Sequence, residues 1–315
     1  MMKTNPLRVF CSILLTASLA SCSGVQALFA TPTPTPTPTL TPTPSATPFP
    51  LAGKSLIDVT YCTADGVPLK MDIYFPDHGG PWPAVVYVHG GSWMTGDKSE
   101  AAGLAKWLNP LGFIVVSLDY RMYPAVRFPA LIEDVKCGVR MIRAHAAEYD
   151  LDVNHIGAYG ASAGGHLVAL MGTSDAGAGW DVGEYPDQSS RLQAVVDQSG
   201  PSDLTIDYPN YGLATVIMMA FGIPSAKRAI GSPTSYASAD DPPFLIIHGD
   251  KDPTVPMEQG QLMYDALVKA GVSAKLVIVK NGTHSLTTEV GMSPTRPELD
   301  QMILDFLKST LQGTK

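Results

Sequence analysis

A glycine-rich turn between an apolar strand and a helix constrains the fold of this chain more than any other stretch. Residues 160–165 read GASAGG; an apolar run, residues 155–159, precedes them, and a helical pattern begins at His166. A G-x-S-x-G turn in this position is typical of a nucleophile elbow, a strained strand-to-helix turn with the serine at its tip. Glycines two positions before and after the serine avoid collisions with the neighbouring backbone. The pattern therefore predicts that Ser162 is exposed above a sheet and close to a helix N-terminus.

The remaining patterns predict an α/β fold with a mainly parallel sheet. Two alternating segments, residues 55–61 and 69–74, flank Asp65-Gly66 and predict a hairpin. Further strands are predicted at residues 84–88, 113–118, 155–159, 194–197, 244–247 and 275–279, and helices at residues 129–149, 257–270 and 297–311. Strands that alternate with helices form three-layer sandwiches, so we expect the fold class α/β with an antiparallel N-terminal hairpin. Residues 201–242 break this alternation and predict a small cap over the site.

The first residues of the chain have the pattern of an export signal. Lys3 and Arg8 precede an apolar run, residues 9–20, which is too short to span a bilayer. The following residues 19–22 read LASC, which resembles a bacterial lipobox and predicts a lipid on Cys22 after cleavage just before it. Ordinary cleavage further along, near Ala30, is the alternative.

A linker separates this signal from the folded part. Residues 31–50 alternate Thr and Pro almost throughout, and proline favours extended, semi-rigid backbone. We therefore divide the chain into a signal segment at residues 1–21, a linker at residues 22–52 and one α/β domain at residues 53–315.

Composition excludes several classes of protein. The chain of 315 residues has a net charge of −8 and no basic stripe, which argues against nucleic acid as a partner. Its four cysteines are too few for a disulfide scaffold and lack the spacing of a zinc site. Cys62 and Cys137 could pair in an exported protein, but no sequence feature brings them together. We expect two separate buried thiols.

A serine at such a turn needs a base within reach, because its hydroxyl is a weak nucleophile. In chains with this elbow the acid and then the histidine follow the serine, each at a strand end. His284 lies in the loop just beyond the last predicted strand, so we assign the base to it. His248 still belongs to the preceding strand and is expected to support packing or the loop, and His166 is expected to be structural.

The acid is expected one strand earlier, in residues 249–256, which read GDKDPTVP. Asp252 is favoured because Pro253 restricts its backbone to extended conformations, and it would orient the imidazole of His284. Asp250 lies where the chain must turn, and we expect its carboxylate to cap backbone amides there.

A second glycine loop is expected to bind the negative charge of an acyl-transfer intermediate. Residues 89–93 read HGGSW and follow the strand at residues 84–88. Glycines let backbone amides approach a substrate closely, so Gly91 and Ser92 are the predicted donors, with Ala163 from the elbow. In the same loop, His89 is expected to brace the backbone. Trp93 either lines the substrate pocket, the role that we assign to it, or packs beneath the loop.

Together these stretches resemble the α/β-hydrolase superfamily, in particular its hormone-sensitive-lipase-like and bacterial feruloyl- and acetyl-xylan-esterase-like branches. The lipase-like branch usually has a third glycine where this chain has Ser92, and the H-G-G-x-W form resembles instead carbohydrate esterases and kynurenine formamidases. The resemblance implies a serine ester hydrolase with Ser162, His284 and Asp252 as its triad. It also implies small esters or amides as substrates, and neither a metal nor an organic cofactor.

The hypothesis is thus a secreted or surface-tethered carboxylesterase acting on short-chain or polysaccharide-linked acyl esters. Contact with a membrane is expected only through the lipid on Cys22, in a cell-envelope or extracellular location. A prolyl-oligopeptidase-type serine peptidase and a kynurenine-formamidase-like amide hydrolase are alternatives. A catalytically inactive binding protein is a third, although such proteins usually lose one of the three site residues.

Overall fold

The structure is organised around one eight-stranded sheet. A computed structural model describes residues 49–287 and 290–313; the predicted signal segment, Cys22 and most of the predicted linker lie outside these residues. The strands are β1 (Ser55–Ala64), β2 (Val67–Tyr74), β3 (Trp82–Val88), β4 (Ile114–Leu118), β5 (Leu151–Ala161), β6 (Ala194–Gln198), β7 (Phe244–Gly249) and β8 (Ala274–Val279). Their order is β1-β2-β4-β3-β5-β6-β7-β8, antiparallel from β1 to β2 and from β2 to β4 and parallel elsewhere. The predicted fold class is confirmed.

Helices cover both faces of this sheet. They are α1 (Ala102–Leu108), α2 (Ala130–Ala144), α3 (Ala146–Tyr149), α4 (Ala163–Thr173), α5 (Tyr211–Phe221), α6 (Ser225–Ile230), α7 (Glu258–Ala270) and α8 (Arg296–Leu311). Side chains of α2, α4 and α7 share one hydrophobic cluster with the sheet, and side chains of α1 and α8 share a second. Every residue of β4, β6 and β7 is buried, because parallel strands between helix layers have no exposed face. In the described residues, no helix is both long and apolar enough to span a membrane.

The predicted cap contains α5 and α6. The side chain of Asn210 accepts a hydrogen bond from the Leu213 amide at 3.0 Å and so caps the N-terminus of α5. Phe221, the last residue of α5, packs edge-on against Trp93 and His166, with ring centroids 4.9 and 5.2 Å away. These contacts fix the cap to the elbow helix and to the loop after β3.

The folded unit begins earlier than the predicted boundary at residue 53. The Phe49 ring packs edge-on against Trp82 with centroids 5.7 Å apart, and the Gly53 amide donates to the Pro76 carbonyl at 2.7 Å. The apolar Phe49 side chain, which lies within the predicted linker, thus has a packing partner on the domain. The helix predicted over residues 129–149 is also interrupted, at His145, between α2 and α3.

Cys62 and Cys137 form a disulfide, which corrects the expectation of two separate thiols. The bond joins β1 to α2, and the two Cα atoms are 6.5 Å apart. The sequence did not indicate the pair because the two cysteines lie 75 positions apart. They meet only because the hairpin at the sheet edge lies beside α2.

Candidate active site

The candidate site lies where loops leave the carboxyl ends of parallel strands. The glycine loop follows β3, Ser162 follows β5, Asp252 follows β7 and His284 follows β8. Only β6 separates the first pair of strands from the second. Open α/β sheets bind their ligands at this edge. Within residues 49–287 and 290–313, no group of three or more His, Cys, Asp or Glu side chains is arranged to hold a metal ion.

Ser162 occupies a strained backbone conformation between β5 and α4. Its φ is 56° and its ψ is −120°, a region in which a non-glycine residue costs about 1–3 kcal/mol. A Cβ atom at Gly160 would overlap the Gly164 carbonyl, and one at Gly164 would overlap the Val88 carbonyl. The two flanking glycines are therefore required by close backbone contact. The turn leaves the Ser162 side chain partly exposed.

Asp252 and His284 are in direct contact. His284 Nδ1 lies 2.6 Å from Asp252 Oδ2, while Asp252 Oδ1 accepts hydrogen bonds from the Thr254 and Val255 amides at 2.8 and 2.9 Å. The two carboxylate oxygens thus have different partners, one on the backbone and one on the imidazole. This division fixes the orientation of the carboxylate.

The surroundings of Asp252 keep it ionised. Burial raises the pKa of its carboxyl, but hydrogen bonds from His248, His284 and the Val255 amide outweigh burial and hold that pKa well below its ordinary value. Because an ionised carboxylate only accepts hydrogen bonds, Nδ1 of His284 carries the proton. In the neutral imidazole Nε2 is then free of a proton, the state that a general base requires.

The predicted role of Asp250 as a turn cap is wrong. Its side chain is exposed and makes no hydrogen bond to any described residue, and only its amide is used, donating to the Val279 carbonyl at 3.0 Å. Asp252 accepts the turn amides instead, because it lies two and three residues before Thr254 and Val255, the spacing at which aspartate bonds its own backbone.

The glycine loop after β3 is folded by three consecutive residues with positive φ. These angles are 101° at Gly91, 54° at Ser92 and 58° at Trp93. The Gly91 carbonyl accepts from the amides of Met94 and Thr95 at 3.0 and 3.1 Å. Among the described residues, the amides of Gly91 and Ser92 donate to no protein acceptor. They are therefore available to a ligand.

This loop lies against the elbow. A Cβ atom at Gly90 would come within 2.9 Å of the Ala161 carbonyl and 3.5 Å of Ser162 Cβ. Ala163 is the first residue of α4, and amides in the first turn of a helix have no partner within it. The glycine loop, Ser162 and Ala163 are thus neighbours, as an anion site beside the serine requires.

Trp93 packs inside the domain, beneath the glycine loop. Its side chain is completely buried, and its Nε1–H donates to Nδ1 of His166 at 3.3 Å. His166 Nε2 in turn lies 2.7 Å from the Gly231 carbonyl. The cap residue Phe221 packs edge-on against the Trp93 ring, so the structure shows Trp93 in the second of its two predicted positions, packed beneath the loop. His89, also buried, lies over Tyr120, with stacked ring centroids 4.4 Å apart.

Two buried polar residues beside the site were not predicted to act there. Asp197 in β6 and His248 in β7 are both completely buried. Asp197 Oδ2 and His248 Nδ1 have no hydrogen-bond partner in the part of the chain that the structure describes. The signal in the sequence is an aspartate directly after the apolar residues 194–196, because a charged residue is rarely buried without a partner or a function.

A sheet of this order, with a strained serine and an aspartate–histidine pair at its carboxyl edge, is that of the α/β-hydrolase serine esterases. The sequence profile of the BD-FAE family matches residues 71–267. The chain belongs to that family.

Known relatives agree with this class. The probable carboxylic ester hydrolase LipM of Mycobacterium tuberculosis is 32% identical over 199 residues, 61% of this chain and 46% of that protein. The chain spans about half the length of the curated relatives it matches, between 46% and 53% for the first three. A truncated carbohydrate esterase from gut microbiota superposes with a TM-score of 0.72 at 28% identity, over 83% of this chain and 97% of that one. Esterase Est2 of Thermogutta terrifontis, with butyrate bound, has a TM-score of 0.65 at 26% identity, over 82% and 92%.

Proposed function

We propose that this protein hydrolyses carboxylic esters with a triad of Ser162, His284 and Asp252. The observation that carries the proposal is the 2.6 Å contact between His284 Nδ1 and Asp252 Oδ2, on the same sheet edge as the strained Ser162. A histidine oriented by a buried carboxylate beside a nucleophile elbow is suited to remove a serine proton.

The geometry suggests the following reaction. His284 Nε2 takes the proton of Ser162 Oγ while Oγ attacks the ester carbonyl, and Asp252 stabilises the imidazolium that forms. The tetrahedral intermediate collapses to an acyl-enzyme, and the proton passes from Nε2 to the leaving alcohol. Water, activated by the same imidazole, then releases the acid. The amides of Gly91, Ser92 and Ala163 would stabilise the oxyanion in both halves of the reaction.

Replacement of the serine tests this function. Ser162→Ala should lower kcat for nitrophenyl acetate by about 10³-fold or more and abolish labelling by a fluorophosphonate probe. Ser309→Ala, an exposed serine in α8, is the matched control and should retain both. A folded Ser162→Ala protein that keeps more than about a tenth of the wild-type rate would exclude the triad.

The proposed substrates are short-chain or carbohydrate-linked acyl esters. The carbohydrate esterase and the butyrate-bound esterase among the structural relatives support this class, as does Ser92 in place of a third glycine. We expect kcat/KM for nitrophenyl acetate or butyrate to exceed that for dodecanoate by about 10-fold, or ~1.4 kcal/mol. Acetylated xylan, methyl ferulate and an anilide assayed in parallel would separate a carbohydrate esterase from an amide hydrolase. Preference for dodecanoate would exclude short-chain specificity.

We propose further that the protein is exported and anchored by a lipid on Cys22. The LASC sequence at residues 19–22 supports this, and so does the disulfide, since such bonds persist mainly in oxidising compartments. Cys22→Ser should move the protein from the membrane fraction to the soluble fraction with unchanged specific activity. Cys11→Ser is the matched control and should stay with the membrane. A mature N-terminus downstream of Cys22 would contradict the anchor.

A further inference from the structure

His248 lies buried at the end of β7 and faces the same carboxylate oxygen as His284. Its Nε2 is 2.9 Å from the Val255 carbonyl oxygen and 3.4 Å from Asp252 Oδ2. A carbonyl and a carboxylate only accept hydrogen bonds, so Nε2 of His248 carries a proton. Asp252 Oδ2 therefore lies near two imidazole N–H groups, that of His284 at 2.6 Å and that of His248 at 3.4 Å.

The second ring nitrogen of His248, Nδ1, lies against helix α7, where a Cβ added at Gly260 would come within 3.0 Å of it. This nitrogen has no partner among the described residues, and neither has the buried Asp197 Oδ2. Asp197 pairs with Ile246 across β6 and β7, so Asp197 and His248 lie on the same face of neighbouring strands. Burial raises the pKa of Asp197 to about 6, and the nearby His248 opposes that rise.

We propose that His248 is a positioning residue for the reaction: its Nε2–H shares Asp252 Oδ2 with His284, holds that oxygen in place and withdraws part of its negative charge. This inference rests on the proposed triad, because it concerns the acid that orients His284.

Neighbouring groups restrict the orientation of the His248 ring. The charged groups that face His248 are Asp252, in the loop after β7, and Asp197, in β6. His284 lies beyond Asp252. Helix α7 contributes the uncharged Gly260, where an added Cβ would come within 3.0 Å of His248 Nδ1. The ring therefore cannot swing away toward α7, and its Nε2 stays directed at the site loop.

A role limited to bracing the loop predicts a different effect on the titration of His284. Without the His248 donor, Asp252 has more negative charge to offer to His284, which favours the protonated imidazole and moves the titration to higher pH. Simple loosening of the loop would weaken the contact between Asp252 and His284 and move it to lower pH. The direction of the change thus distinguishes the two roles.

Two substitutions at one position test the proposal. His248→Gln places an amide donor near the position of Nε2, and His248→Met fills the space without a donor. For His248→Met we expect kcat on nitrophenyl acetate to fall about 10-fold with little change in KM, the effect of one lost hydrogen bond to a charged group. In the His248→Met protein, the ring-proton NMR titration of His284 should move to higher pH by about half a unit. The His284 signal is assigned by its absence from the spectrum of His284→Gln. His248→Gln should keep kcat within about 3-fold of wild type.

The titration of His284 is followed by NMR and not through the pH dependence of kcat. Asp197 would titrate in the same pH range and would affect the acid limb of that rate profile. The NMR titration also separates this inference from the proposed function, since it requires no turnover. Nitrogen NMR of the wild-type protein near pH 8 should show the His248 proton on Nε2, a result that does not depend on whether a variant folds. A proton on Nδ1 alone would overturn the proposal. So would a His248→Met protein with a lowered melting temperature but unchanged kcat and His284 titration.

Discussion

Asp252 and His284 are 32 residues apart in sequence, yet Asp252 Oδ2 and His284 Nδ1 lie 2.6 Å apart. The second oxygen of Asp252 is held by backbone amides. The carboxylate is thus anchored through one oxygen and presents the other to the imidazole. This arrangement explains how a residue on a loop can orient a second loop residue.

Asparagine substitutions should distinguish the two aspartates of this loop. Asp252→Asn keeps an oxygen for the turn amides but presents an N–H to His284, which favours the wrong imidazole tautomer. We expect kcat to fall by about 10²- to 10⁴-fold. The exposed Asp250 has no side-chain partner among the described residues, so Asp250→Asn should match wild type in kcat and melting temperature. A kinetic loss confined to Asp250→Asn would invert the assignment.

The glycine loop should not tolerate a side chain at Gly91. With φ at 101° and a Cβ that would overlap the Thr95 carbonyl, Gly91→Ala must distort the backbone that presents the two free amides. We expect kcat to fall by about 10²- to 10³-fold, as when an oxyanion donor is lost. Gly103→Ala is the control, because a Cβ there meets no atom within 4 Å. Equal activities of the two variants would argue against an oxyanion site in this loop.

Acid should destabilise the protein partly through His166. Burial lowers the pKa of His166 to about 4 from the ordinary value of 6.5. Its contribution to the free energy of unfolding is therefore present above pH 6.5 and is lost as pH falls toward 4, by about 2–3 kcal/mol.

The variant His166→Gln keeps a donor for the Gly231 carbonyl and cannot titrate. Urea unfolding at pH 7.5 and 4.5 should therefore show a smaller loss of stability for this variant than for wild type. Other titrating groups, including Asp197, are common to both proteins and cancel in the difference. Equal losses would show that His166 is not held neutral by the fold.

The disulfide should contribute to stability without affecting catalysis. It spans 75 residues, and a cross-link of that length restricts the unfolded chain by about 4 kcal/mol in the loop-entropy description. The double variant Cys62→Ala/Cys137→Ala should lose about this much unfolding free energy. Its kcat should be unchanged, because β2, β4 and β3 separate β1 from the strand that leads to Ser162. Reduced wild-type protein should match the double variant; no difference between oxidised and reduced wild type would contradict the prediction.

The sequence by itself determined the order and type of most elements. A continuous apolar run such as residues 244–247 is stable only as a strand with both faces covered, so the run alone is enough to predict a buried strand. Asp65-Gly66 is a turn because both residues accept positive φ, 51° and 78° in the structure. The sequence also places Ser162, Asp252 and His284 just after strands, because the strand before each of them can be recognised locally. Helix α1 was not predicted.

Only the tertiary structure decided how distant segments meet. The sequence allowed two positions for Trp93, and the cap residue Phe221 buries its ring. It allowed Cys62 and Cys137 to pair or not, and the packing of the hairpin beside α2 joins them. It did not place Asp197 on the same sheet face as His248, because their relative position depends on the register between β6 and β7. The periodicity of a segment shows which of its faces is apolar, but it does not show which other segment will cover that face.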